Sequence, residues 1–208
     1  MAPEDTKAPS LRIPWIRRMV SKPGTIYRVP GSRSFKSSTE DSLLAETLKT
    51  PRTIRSAISF YSRPTHETDE IEQVTTVMTI GDGMNGHPEI IHGGIVATII
   101  DESMGILQSV NLERAHMRQV KLGQAEGELP PPGGAAFTAE LKVRYLRPVR
   151  TPGAIAVVAR RERKEGRKEW LVAEVRQQVG HGEDDDGEVV VCATGESLFI
   201  EPRSTAKL

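Results

Sequence analysis

The stretch IIHGGIVATIIDESMGIL, residues 90–107, constrains this chain more than any other. Placed at 100° per residue, Val96, Ile99, Ile100, Met104 and Leu107 form one broad apolar face of a helix. Isoleucine and alanine carry the apolar character most of the way round the rest. A helix of this kind has to be wrapped on most sides, and the chain supplies the wrapping. Residues 137–147 alternate, with Ala139, Leu141, Val143 and Tyr145 on one face. Residues 154–159, 170–179 and 189–199 follow as further strands, separated by the polar turns 163–168 and 183–187. Before the helix, 71–80 is alternating and β-branched, and 54–61 reads as one more strand. The expectation is an α+β fold in which a curved antiparallel sheet of five to six strands wraps a long central helix.

The remainder is organised around that unit. Residues 1–40, rich in proline, glycine, serine and basic side chains, predict a flexible, irregular N-terminal extension. Residues 42–48 form a short helical pattern with Asp41 as its cap and Pro51 as its stop. The folded unit then spans 41–202, with a tail at 203–208. Residues 113–136, containing Pro130-Pro131-Pro132-Gly133-Gly134, read as a long connection, either a mobile lid or a plain insertion. Lys+Arg and Asp+Glu both number 28, so no net charge draws the protein to nucleic acid. No run of 18 apolar residues predicts a membrane span. Cys192 is the only cysteine, which precludes an internal disulfide and favours a reducing compartment. Ala206-Lys207-Leu208 is a close variant of the Ser-Lys-Leu peroxisomal address. Residues 6–39 hold no acid, as in mitochondrial transit peptides. The localisation expected is therefore the peroxisome, with cytoplasm or mitochondrion as alternatives.

Within the helix, Gly93, Ala97, Asp101 and Gly105 fall at i+4 intervals and form a stripe of small side chains along which another backbone can approach. Asp101 is its single charge. An unpaired carboxylate there would cost several kcal/mol, so the placement points to a purpose. At the helix start, Gly93 and Gly94 present first-turn N–H groups that lack intrahelical partners, at the positive end of the macrodipole. Unobstructed by side chains, these donors have the character of an oxyanion hole. His92 precedes them and can orient backbone or substrate. Gly93 and Asp101 lie eight residues, about 12 Å, apart along the axis, whereas a base must sit about 3 Å from its reacting atom. One helix cannot bring both groups to one carbonyl. Two antiparallel copies meeting along the small stripe can, and each homodimer then holds two equivalent sites.

The spacing of His92-Gly93-Gly94 and Asp101, together with LKVRYLRPV at 141–149, resembles the hotdog-fold acyl-CoA thioesterases of the phenylacetate-pathway type. NGHPEIIHGGIVATIIDESMG is especially similar to fungal members, and the likeness runs from about residue 43 to 200. The resemblance implies hydrolysis of an acyl thioester of coenzyme A or of a carrier protein, as in fungal secondary metabolism. It calls for no cofactor and for a homodimer or a dimer of such dimers. By that likeness Asp101 is the general base or nucleophile, the Gly93 N–H polarises the carbonyl, and His92 supports the loop. Thr138 matches a hydroxyl that assists the attacking water, on the strand face opposite Leu141. Where some relatives have asparagine as a second carbonyl donor this chain has Gly86, flanked by Asn85 and His87; Gly94, Asn85 and Gly86 are thus candidate substrate contacts. Many fungal members have glycine in place of Glu89. Arg144, Arg147 and Arg150 stand where coenzyme A phosphates can be met. Glu102 points about 100° away from Asp101 and reads as structural. His87 and His116 lack metal-ligand spacing, and Cys192 reads as core. The competing functions are a non-catalytic acyl-CoA binder on the same scaffold and a hydroxyacyl-thioester dehydratase.

Overall fold

The computed structural model describes residues 9–128, 130, 136–180 and 187–203. The prolines and glycines at 131–134, the acids at 183–186 and the terminal Ala206-Lys207-Leu208 lie outside them. A seven-stranded antiparallel sheet has the order β1-β2-β3-β7-β8-β9-β6, with β1 Thr25–Arg28, β2 Ile54–Ser62, β3 Gln73–Ile80, β6 Phe137–Tyr145, β7 Gly153–Glu165, β8 Lys168–Val179 and β9 Glu188–Ile200. Two short strands, β4 Asn85–His87 and β5 Ile90–Ile91, make a separate hairpin. It leads directly into the long helix α2, Gly93–Lys121.

α2 lies in the concave face of the sheet. Val96, Ile99, Ile100, Met104 and Leu107 are all buried there, as their periodicity demands. Their core partners include Val74 and Met78 of β3, Ile155 and Val157 of β7, and Leu171 and Ala173 of β8. Gly195 of β9 packs tightly under the helix, where an added Cβ would stand 2.4 Å from Cγ2 of Ile100. No larger residue fits while the helix stays in place. This architecture is the expected α+β arrangement of a curved sheet around a central helix.

Four expectations need correction. First, the N-terminal extension is not irregular throughout. It contains α1, Pro14–Val20, and the edge strand β1, which makes the sheet seven strands rather than five or six. Pro14 sits in the first helical turn, where its missing N–H costs nothing. Trp15, Ile16 and Val20 then bury against Phe60, Val77 and Ala156 on the outer sheet face. The boundary near residue 40 therefore falls inside folded chain. Second, Asp41 is not a side-chain cap. Its carboxylate pairs with Lys36 at 2.6 Å, and its backbone takes φ +61° ahead of a π-type turn at Leu43–Thr47. Third, α2 continues past residue 112 to Lys121, because Val110 and His116 still find buried positions. The long connection shrinks to 122–136. Fourth, the turn placed at 163–168 is only Gly166-Arg167, with Gly166 at φ +57°. The charged side chains before it stay in the strand by pairing across it: Arg163 stacks on Trp170 at 3.8 Å, and Lys164 meets Glu201 at 2.9 Å.

Candidate active site

His92 is the N-cap of α2, with extended backbone angles of φ −64° and ψ 135°. Its Nδ1 accepts the Gly94 N–H at 3.0 Å, and its carbonyl accepts from Ile95 at 3.0 Å and Val96 at 3.2 Å. The imidazole thus replaces the usual Ser or Asp cap. This changes the expectation of two bare amides at the helix mouth. Gly94 spends its donor on the histidine, while no hydrogen bond among the described residues takes up the Gly93 N–H. Gly86 makes room for the cap, since a Cβ there would lie 3.0 Å from the His92 ring.

The next residue along the hairpin is also committed. The Asn85 side-chain oxygen accepts a short hydrogen bond from the Thr151 hydroxyl, so its amide group is oriented by that contact. Glu89 adopts φ +57°, a left-handed conformation that suits glycine. Its carbonyl accepts from the Thr151 N–H at 3.0 Å. The departure noted at this position therefore has a backbone meaning: a glycine there would avoid a conformational cost that Glu89 bears.

At the other end of the stripe, Asp101 is half-buried rather than enclosed among isoleucines, and its Oδ1 accepts a hydrogen bond from the Thr138 hydroxyl at 2.8 Å. Thr138 is on the helix-facing side of the sheet together with Leu141, not opposite to it. The cause is a register shift in the β6–β9 pairing between Thr138 and Glu140, which lets two residues three apart share a face. Gly93, Ala97 and Gly105 are likewise only half-buried in this chain.

Tyr145, at the far end of β6, joins the strand to the helix mouth. Its hydroxyl donates to the Gly93 carbonyl at 2.9 Å, and its ring lies 3.5 Å from where a Gly93 Cβ would be. The alternation had placed it on the face of Leu141 and Val143, but nothing in the sequence marked it as a contact of the mouth. A cleft of about 500 Å³ opens beside Gly93, lined by His87, Val96, Tyr145, Leu146, Arg147 and neighbours. Arg147 is in this cleft and donates to the Val191 carbonyl at 3.1 Å. Arg144, next to Tyr145 on the strand, faces the other side and is exposed. Arg150 is exposed and stands outside the cleft, its backbone N–H held by Gln177 at 2.7 Å. Of the three arginines, the fold brings one to the mouth.

The remaining candidates have structural surroundings. Glu102 is half-buried and accepts a short hydrogen bond from Ser32. Burial pushes its carboxyl above the ordinary carboxylate range, Asp41 and Asp101 add to the rise, and Ser32 and Lys36 oppose it. His116 is buried, 3.2 Å from the Gly127 carbonyl. Cys192 is fully buried in β9, and burial raises its thiol pKa. Among the described residues no group of three or more His, Cys, Asp or Glu side chains is placed to hold a metal ion, and no helix is long and apolar enough to cross a membrane.

This fold and helix mouth define a class. Residues 89–180, somewhat under half of the chain, match the model of the thioesterase superfamily, and the curved antiparallel sheet around one long helix is the hotdog fold. The chain is similar to Verlamelin biosynthesis protein B of Lecanicillium sp, 30% identical over 130 residues, covering 56% of each chain. It is also similar to the acyl-coenzyme A thioesterase THEM4 of Bos taurus, 25% identical over 126 residues, covering 61% of this chain and 40% of that one. The chain thus spans about half the length of the curated relatives it matches. Among solved structures it is similar to protein BH2602 from Bacillus halodurans, determined with CoA, at 25% identity and a TM-score of 0.42, covering 64% of this chain and 69% of the other.

Proposed function

We propose that the protein hydrolyses an acyl thioester, of coenzyme A or of a carrier protein, at sites shared between two copies of the chain. The observation that carries this reading is the stripe itself. Asp101, held by Thr138, and the Gly93 N–H, without a partner among the described residues, lie on one half-exposed line of small residues. Their axial separation of about 12 Å makes them useless to one carbonyl within a chain and complementary between antiparallel chains. Phe137 and Tyr145 of β6, and Leu146 just after it, are exposed large side chains, and Tyr145 borders the stripe at Gly93. The superfamily match and the thioesterase relative support the reaction class.

The chemistry follows from the positions. The thioester carbonyl rests on the Gly93 N–H of one copy, at the positive end of α2. Asp101 of the other copy either takes a proton from water, which then attacks the carbonyl carbon, or attacks directly and is freed by water. In both cases negative charge collects on the carbonyl oxygen, and its collapse expels the thiolate, which recovers a proton. Thr138 fixes the carboxylate in the attacking geometry. Tyr145 steadies the peptide that bears the oxyanion donor, and Arg147 supplies a cation for phosphate at the cleft mouth. The similarity to a biosynthesis protein supports a biosynthetic setting.

Release of free thiol from a panel of acyl-CoA substrates tests the proposal. Asp101→Asn is expected to lower kcat by about 10²- to 10⁴-fold with little change in thermal stability. Undiminished turnover in that variant removes the acid from the mechanism, and enoyl product without free thiol assigns the site to dehydration instead.

A further inference from the structure

A second cleft of about 360 Å³ lies between the N-terminal segment and the middle of α2. It begins one helical turn, about 6 Å, beyond Asp101. Gly105, four residues on, lines it, and a Cβ built at Gly105 meets nothing within 4 Å. Ala136, two residues before Thr138, lines the same entrance. In the single chain, therefore, the space over Gly105 is open and borders this cleft, which a chain leaving a carbonyl held at Asp101 can enter.

The cleft is polar. Glu102 projects into it with one oxygen on Ser32 and no partner for the other among the described residues. Also in its lining, Gln108 and Arg161 each donate at 2.6 Å to Glu169, one to each carboxylate oxygen. The wall that carries Ser32 is held firmly. Arg28 makes a two-pronged contact with Glu113 of α2 at 2.5 and 2.7 Å, and buried Arg33 donates to the carbonyls of Leu44 and Ile54 at 3.0 Å each. Arg28, Ser32 and Arg33 precede the stretch that matches the superfamily.

We infer that this cleft receives the acyl chain and that Glu102, positioned by Ser32, selects acyl groups carrying a hydroxyl over plain alkyl chains of equal length. The inference rests on the thioesterase reading for the position of the carbonyl. A hydroxyl both donates and accepts, so it pairs with Glu102 whether or not the carboxyl holds a proton. An alkyl chain covers the same carboxyl without replacing its water, and a site built for a hydroxyl discriminates strongly against the analogue lacking one. In a half-buried cleft the expected preference is about 10- to 100-fold.

Calorimetric binding of non-hydrolysable thioether analogues of acyl-CoA, with the hydroxyl walked along a chain of fixed length, tests this on the full chain. The wild type is expected to bind one hydroxylated isomer about 10- to 100-fold tighter than the alkyl analogue. Glu102→Leu is expected to abolish or invert that preference, Glu102→Gln to keep most of it, and Ser32→Ala to shrink it several-fold. Equal affinities at every hydroxyl position, or a preference that survives both Glu102→Leu and Ser32→Ala, overturns the inference; should Glu102→Leu not fold, an unchanged preference in Ser32→Ala does so alone. Thiol release from the hydrolysable counterparts reads the other proposal separately. Preference without release defeats the hydrolase and leaves the selectivity standing, and release without preference does the reverse.

Discussion

The two edges of the sheet are finished in opposite ways. At the β1 edge the chain is tied down by buried and half-buried charges. The strand is pinned to α2 through Arg28 and Glu113, and the segment after it is tied by Arg33 to the carbonyl of Leu44 and to that of Ile54, which opens β2. At the β6 edge almost every side chain is exposed, Phe137 and Tyr145 among them. Yet it is β6 that touches both ends of the stripe, through Thr138 to Asp101 and Tyr145 to Gly93. An edge strand left bare invites pairing with another chain. On the proposed function, one edge serves stability and the other a partner and chemistry.

If that division holds, substitutions at the β1 edge cost folding free energy and those at β6 cost turnover. Arg33→Ala should do the most damage, about 2–4 kcal/mol in denaturant unfolding, because several buried carbonyls lose their donor at once. Arg28→Met, which breaks a partly buried two-pronged pair, should cost about 1–2 kcal/mol by the same measurement. Thr138→Val should leave stability within about 0.5 kcal/mol and reduce kcat/KM about 3- to 10-fold, by loosening the Asp101 carboxylate. A large loss of stability in Thr138→Val, or of turnover alone in Arg28→Met, breaks the comparison.

Two smaller effects sharpen it at the hairpin and at the cleft that holds Glu102. Glu89→Gly should raise stability by up to about 1 kcal/mol, since relief of the left-handed backbone outweighs the entropy glycine adds to the unfolded chain. Glu102 has its folded pKa raised, first by burial. Its native form holds a proton that the unfolded chain has already lost, so this contribution to stability is present below the ordinary carboxylate range and disappears as pH rises through the raised value. Glu102→Gln should therefore gain on the wild type as pH climbs from 4 to 7 in a series of thermal melts.

The sequence made the middle of the molecule legible and its rims obscure. The apolar face of α2 and the strands around it follow from periodicity, because burial on one side leaves a pattern. Asp101 and the glycines stood out because a charge and two bare amides are costly in such a helix. Beyond Leu107 the pattern dilutes, and isolated residues such as Val110 and His116 were too sparse to announce three further turns. The side on which Thr138 lies depended on a bulge, and nothing in Thr-Ala-Glu signals an extra residue. Pro14 disguised a helix that it in fact begins. Arg33 carried no signal at all, since its partners are backbone carbonyls brought to it only by the fold.

The central claim is that Asp101 of one chain works on the amide of another, and subunit complementation reads it most directly. Gly93→Pro deletes that N–H at the first helical position, where proline is tolerated, and the extended ψ of 135° at His92 suits a following proline. Asp101→Asn and Gly93→Pro chains, each expected to be inactive alone, are unfolded together at equal concentration and refolded. Shared sites predict about a quarter of wild-type thiol release, since half the dimers are mixed and each mixed dimer has one intact site of two. A mixture no more active than the separate variants, with mixed dimers verified by mass, contradicts the account.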